Sequence, residues 1–360
     1  MRIAQVAPLY ESVPPKLYGG TERVVSYLTE ELVRAGHDVT LFASGDSTTE
    51  AELDASWPCA LRLDERCDDY QTPHLLQLER VLQRAPQFDV IHFHVEGYHF
   101  PALRRLSTPH VTTLHGRLDR PSLVKLYAEF DDIPVVSISD AQRLPLPTPR
   151  WCGTVYHGLP DELLAYSPGP GSYFAFLGRI SPEKRVDRAI EIAGALGVPL
   201  KIAAKVDRVD VEYFQTEIEP LLDNPLVEFI GEIDEPRKSE FLGGARALLF
   251  PIDWPEPFGL VLIEAMACGT PIVAFRGGSV PELIEPGVNG FCCDSVAAAV
   301  EAAAQVERID RAACRTIFER RFSASRMAGD YVEVYRTLVE RGADQARPRR
   351  ADAAVIVAAE

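Results

Sequence analysis

Short apolar runs recur along the chain, and each closes on a polar or glycine-bearing loop. The first, residues 3–8, is continuous enough to be a strand buried on both faces. After the loop 9–20, which holds Pro14, Pro15, Gly19 and Gly20, apolar residues fall at helical spacing. Val24, Val25, Leu28, Leu32 and Val33 share one face, and Gly36 stops that helix. The next strand is 39–43, and the alternation continues with strands at 89–93, 111–114 and 135–138 and a weaker one at 154–156. A Pro/Gly/Ser cluster at 165–172 reads as a linker. Beyond it a second series begins: strands at 173–177, 200–204, 227–230, 247–250, 271–274 and 290–292, with helices at 186–196, 259–268 and 324–341. Strands alternating with helices predict parallel sheets covered on both faces. The expected fold class is therefore α/β, with two Rossmann-like, doubly wound parallel-sheet domains facing a cleft.

The length of 360 residues suits two such domains, and 46% hydrophobic with 25% charged residues is an ordinary globular composition. A net charge of −16 argues against nucleic acid as a partner and against general attraction to anionic membranes. Seven cysteines, none in a CxxC pair, read as free thiols of a reducing cytoplasm rather than as a zinc site or a disulfide framework. The first apolar stretch is too short for a secretory segment, and no run approaches the ~20 apolar residues of a membrane helix. The expectation is a cytoplasmic protein with no transmembrane segment, peripheral membrane contact being compatible.

Candidate chemistry concentrates in four places. In WPEPFGLVLIEAMACGTPIVA, residues 254–274, a strand ends in a loop with Glu256 and Phe258, Gly259 lets a ligand come close to a helix start, and Glu264 lies on that helix. Carboxylates suit sugar hydroxyls because they accept directed, charge-assisted hydrogen bonds. In FLGRISPEKRVD, residues 176–187, Arg179 and Lys184 flank a turn that leads into a helix starting at Ser181 or Pro182. A planar fork and a point charge together suit a diphosphate. Gly19-Gly20-Thr21-Glu22 opens the first helix without the spacing of a dinucleotide fingerprint. His115 ends one strand and His92 and His94 another. His115 suits a cleft position, whereas a supporting role suits the other two, which lack a third metal ligand.

These motifs resemble the retaining glycosyltransferase family 4 of the GT-B fold. The likeness spans about residues 2–340 and is carried by GGTE at 19–22, His115-Gly116, GRISPEK at 178–184 and EPFGLVLIEAMACGTP at 256–271. It implies that Glu264 binds the nucleotide ribose and that Glu256 holds donor-sugar hydroxyls with the backbone of Phe258, Gly259 and Leu260. Arg179 and Lys184 would neutralise the diphosphate, Gly20 would approach it through its backbone, and His115 would contact the sugar near C6 and the reacting carbon. The resemblance also implies an N-terminal, acceptor-side domain at 1–165, completed by a crossover helix at 325–341, and a donor domain at 166–324. The tail 342–360 is expected to be disordered.

The implied activity is a metal-independent, retaining transfer of a hexose from a nucleotide sugar, with UDP-glucose favoured, to an unassigned small-molecule, lipid or glycan acceptor. No cofactor is expected and no Asp-x-Asp motif stands out. Alternatives on the same fold are a sugar-nucleotide epimerase, a phosphorylase or a non-catalytic sugar-nucleotide-binding protein. Two departures stand out: His157-Gly158 replaces the family's common Asn-Gly, and segments 10–18 and 117–130 match no known acceptor class.

Overall fold

The computed structural model describes residues 1–16 and 19–346. Its strands are β1 (Arg2–Val6), β2 (Asp38–Ser44), β3 (Glu52–Trp57), β4 (Val90–Phe93), β5 (His110–Thr113), β6 (Pro134–Ser137), β7 (Arg150–Thr154), β8 (Tyr173–Ile180), β9 (Leu200–Val206), β10 (Val227–Gly231), β11 (Ala245–Phe250), β12 (Ile272–Phe275) and β13 (Gly290–Cys293). They form two sheets, in the orders β3-β2-β1-β4-β5-β6-β7 and β10-β9-β8-β11-β12-β13. Every neighbouring pair is parallel. Chain order reverses between β1 and β4 in the first sheet and between β8 and β11 in the second, which opens a crevice at the carboxyl ends of those strands.

Strand residues alternate between faces, and both faces are apolar. On the first sheet, Ile3, Val39, Val90, Val111 and Val136 pack against Val24 and Leu28 of helix Gly20–Arg34 and against Tyr331 and Tyr335 of helix Ala324–Ala346. Ala4, Val6, Phe42, Ile91 and Phe93 meet Leu78 and Val81 of helix Gln71–Arg84 on the other face. In the second sheet, Phe174, Phe176 and Leu249 cover helix Val186–Leu196, while Ala175, Leu248 and Ala274 cover helix Leu260–Ala267. The last helix therefore leaves the second half and closes the core of the first.

Several boundaries differ from the sequence reading. The strand expected at 154–156 lies at Arg150–Thr154, and β3 was not foreseen. Both are half-exposed edge strands without a continuous apolar run. Strand β8 pairs with β9 as far as Ile180↔Val206, so Gly178 and Arg179 lie within it. No helix starts at Ser181 or Pro182; it starts at Val186, after Arg185 takes a left-handed conformation (φ 53°) steadied by its pairing with Asp187. The last helix does not stop at 341 but runs to Ala346, since the Ala and Gln after Gly342 are good helix formers. The remainder of the 342–360 tail lies outside the described residues.

Candidate active site

Both crevices contribute to a single cleft of about 520 Å³ between the halves. From the first half come Gly20, where helix Gly20–Arg34 begins, and His115, two residues beyond β5. From the second come Arg179 near the end of β8, Lys184 in the following turn, and Glu256, Phe258, Gly259 and Leu260 in the segment after β11. Glu264 sits inside helix Leu260–Ala267. Every residue expected to touch the donor or the reacting carbon thus lines one cleft, whereas His92, His94 and Glu22 do not. Gly259 caps this helix with φ 87°, a conformation that favours glycine, and the helix start at Leu260 and Val261 lines the cleft.

The two carboxylates are buried, and each has its own lysine. Lys184 Nζ pairs with Glu256 Oε2, to which Trp254 Nε1–H also donates at 3.1 Å. Lys238 Nζ lies 2.7 Å from Glu264 Oε1 and 3.2 Å from Glu235. Pairing with hydrogen bonds is what allows charges to persist away from water. Arg179 engages Asp207 and Glu183, each at 3.2 Å. Across the cleft, Arg23 of the first half pairs with Glu235 of the second. The loop bearing Glu256 is tied to the first half, because Ser139 Oγ–H donates to the Pro257 carbonyl at 2.7 Å. Glu282 adds a second tie by accepting the N–H groups of Asp140 and Ala141 at 2.9 and 2.7 Å. Sequence reasoning passed over Lys238, Trp254 and Arg23; the weak signal for Lys238 was a basic pair, Arg237-Lys238, just after the Asp234 cap of helix Glu235–Gly243.

A buried histidine network stands behind His115. Burial lowers the basicity of His92, His94 and His157 strongly and that of His115 to about 3, so the rings are neutral. Gln5 Oε1 can only accept, so His94 Nε2–H donates to it at 2.8 Å. His94 Nδ1 must then accept, at 2.9 Å, from His115 Nε2–H. That leaves a lone pair on His115 Nδ1, a buried atom with no partner among the described residues. Gln5 Nε2–H in turn donates to the Tyr335 hydroxyl at 3.0 Å, which lies 2.7 Å from His92 Nδ1. The crossing helix therefore helps set the tautomer of a cleft residue. His157 stacks on His115 with centroids 5.3 Å apart and meets Phe258 edge-on at 4.8 Å. Among the described residues, no three His, Cys, Asp or Glu side chains group as metal ligands, and no helix is long and apolar enough to cross a membrane.

The profile of Glycosyltransferase Family 4 matches residues 18–169, and that of Glycosyl transferases group 1 matches residues 167–318. The chain is 25% identical to the phosphatidyl-myo-inositol mannosyltransferase of Mycobacterium leprae, over 95% of this chain and 98% of that protein. Sucrose-phosphate synthase from Thermosynechococcus elongatus superposes with a TM-score of 0.76 at 17% identity, over 95% of this chain and 100% of that one. Anabaena HepE, solved in complex with UDP-glucose, does so with a TM-score of 0.71 at 19% identity, over 94% and 100%. The likeness in fold is to GT-B structures. Two parallel-sheet halves, the matched profiles and the shared cleft agree: the chain is a GT-B-fold glycosyltransferase and belongs to the group 1, family 4 glycosyl transferases.

Proposed function

We propose that this enzyme transfers a hexose from a nucleoside-diphosphate sugar, UDP-glucose first among the candidates, to an acceptor hydroxyl with retention of the α configuration and without a divalent metal. The observation that carries the reading is the convergence, in one cleft, of two buried carboxylates, two cations and a helix N-terminus. In this proposal residues 166–324 hold the donor, and residues 1–165 with helix 325–341 hold the acceptor. Glu264 accepts the ribose hydroxyls and Glu256 those of the hexose. Arg179, Lys184 and the first turn of helix Leu260–Ala267 face the diphosphate.

As the bond from C1 to the diphosphate oxygen breaks, its electron pair passes to the leaving phosphate. The cationic groups stabilise charge where it develops, an effect worth about 3–4 kcal/mol for a well-placed donor. The acceptor oxygen bonds C1 on the same face, and its proton goes to the departing phosphate oxygen. His115, which lines the cleft, contacts the sugar near C6 and the reacting carbon. A bound nucleotide sugar raises the melting temperature by mass action, so a thermal-shift panel identifies the donor. Proton NMR then reads the coupling at the new anomeric centre. A β-linked product contradicts retention, turnover abolished by chelator and restored by manganese contradicts the metal-free reading, and no shift with any nucleotide sugar removes the donor reading.

A further inference from the structure

The donor cleft adjoins a second chamber of about 320 Å³, and the described residues that line it all belong to the first half. Gly20, Thr21, His115 and Gly116 belong to both cavities. We propose that this chamber binds the acceptor as an uncharged, hydroxyl-rich ring, a saccharide or cyclic polyol, and rejects phosphate esters. The proposal rests on the glycosyltransferase reading and adds the acceptor's chemical class to it.

One wall is aromatic. Tyr10 lies 5.0 Å from His74, and His74 lies 6.5 Å from Tyr98, centroid to centroid. Tyr98 is 56% exposed, an apolar ring with a polar tip left open beside a cavity. The His74 nitrogens are both occupied: Nε2 accepts from the Leu9 N–H at 3.2 Å, so Nδ1–H donates to the Tyr70 carbonyl at 2.6 Å. His74 therefore adds a neutral ring with no free nitrogen to this wall. Such a wall matches the C–H face of a pyranose or cyclitol.

The charges point the same way. Among the described residues lining the chamber, Arg62 is the one with a permanent positive charge. Its guanidinium already donates to Glu11 at 3.2 Å and lies over the Tyr10 ring at 5.7 Å. Glu22 and Glu96 line the same space. An entering phosphate would face two acidic side chains and one neutralised cation, whereas neutral hydroxyls can hydrogen-bond to those carboxyl groups in either protonation state. Burial raises the Glu22 carboxyl to about 7 and raises the Glu96 carboxyl too, because both side chains are withdrawn from water.

The test uses the full chain. Saturation-transfer NMR on the protein saturated with UDP, and glycosyl transfer with the nucleotide sugar supplied in place of UDP, compare hexoses, disaccharides and inositol with their phosphate esters. The expected result is binding of uncharged rings, with phosphate esters at least tenfold weaker. Tyr98→Ala is expected to weaken the uncharged acceptor at least tenfold while the donor-induced melting shift persists. Glu96→Arg is expected to narrow the discrimination against phosphate esters. Preference for a phosphate ester, or no binding of any uncharged ring, overturns the proposal. A wild-type protein with no donor-induced shift would instead sink the donor reading on which it stands.

Discussion

Lys184 and Glu256 keep only 15% and 10% of their side-chain surfaces exposed, so each ion is tolerable chiefly because of the other. Lys184→Ala leaves Glu256 unpaired and places an uncompensated negative charge where the diphosphate is proposed to lie. The expected consequences are a kcat/KM lower by about a hundred- to a thousandfold and a stability loss of about 1–3 kcal/mol, below that of a fully buried broken pair. Adding Glu256→Gln separates the two effects. The double variant should regain most of the stability, because no unpaired charge remains, yet no activity. Urea unfolding and steady-state kinetics read the two quantities independently. Activity that returned with stability would place Lys184 in a purely structural role.

Between the halves, the segment after β7 and the start of the last helix are stitched together by backbone hydrogen bonds and by Arg326, whose guanidinium donates to the Tyr156 and His157 carbonyls at 2.8 and 2.9 Å. Leu159 N–H donates to the Phe322 carbonyl at 2.9 Å and Ala324 N–H to the Leu159 carbonyl at 2.7 Å. Gly158 makes this approach feasible, since a Cβ there would stand 2.2 Å from the Ser323 carbonyl oxygen. Gly158→Ala should therefore cost about 3 kcal/mol or more by forcing the crossing apart, read as a lowered urea midpoint. An unchanged midpoint would mean that the crossing adjusts freely. This explains a glycine that the sequence placed next to His157 without a reason. Elements buried on both faces, such as β1, β4 and β11, were legible as apolar runs. Edge strand β3 was not, because ELDASW mixes polar and apolar residues on a half-covered surface. The cleft motifs were legible because each is written on one strand-loop-helix unit. Lys238, the Gln5–His94–His115 chain and the Tyr10–His74–Tyr98 wall were not, since each depends on which distant segments meet in space.

For the molecule as a whole, folding changes its affinity for protons. All eight histidines are made less basic, by burial first in every case. Five of them, His92, His94, His99, His115 and His157, lie deep enough to stay neutral well below their ordinary value of 6.5. The unfolded chain therefore takes up protons that the folded chain refuses, and the associated stability is present above pH 6.5 and lost as pH falls. Each such group contributes a slope of about 1.4 kcal/mol per pH unit. Glu22 acts in the opposite sense. Its carboxyl, raised from 4.5 to about 7, holds a proton that the unfolded chain releases, so between those values it favours folding as pH falls. Glu96, Asp161 and Asp210, also raised by burial, act in the same sense as Glu22. The histidines dominate between pH 7 and 5, where their ordinary value lies, so the net stability falls with pH there. Urea midpoints should fall steeply from pH 7 to pH 5, with acid unfolding setting in before the carboxylate range. Glu22→Gln should be more stable than wild type at pH 8, by up to about 3 kcal/mol, and should lose that advantage by pH 5. Midpoints that stayed level from pH 7.5 to 5 would show that the histidine cluster admits protons in the folded state. The neutral tautomer of His115, and the lone pair assigned to its Nδ1, would then have to be abandoned.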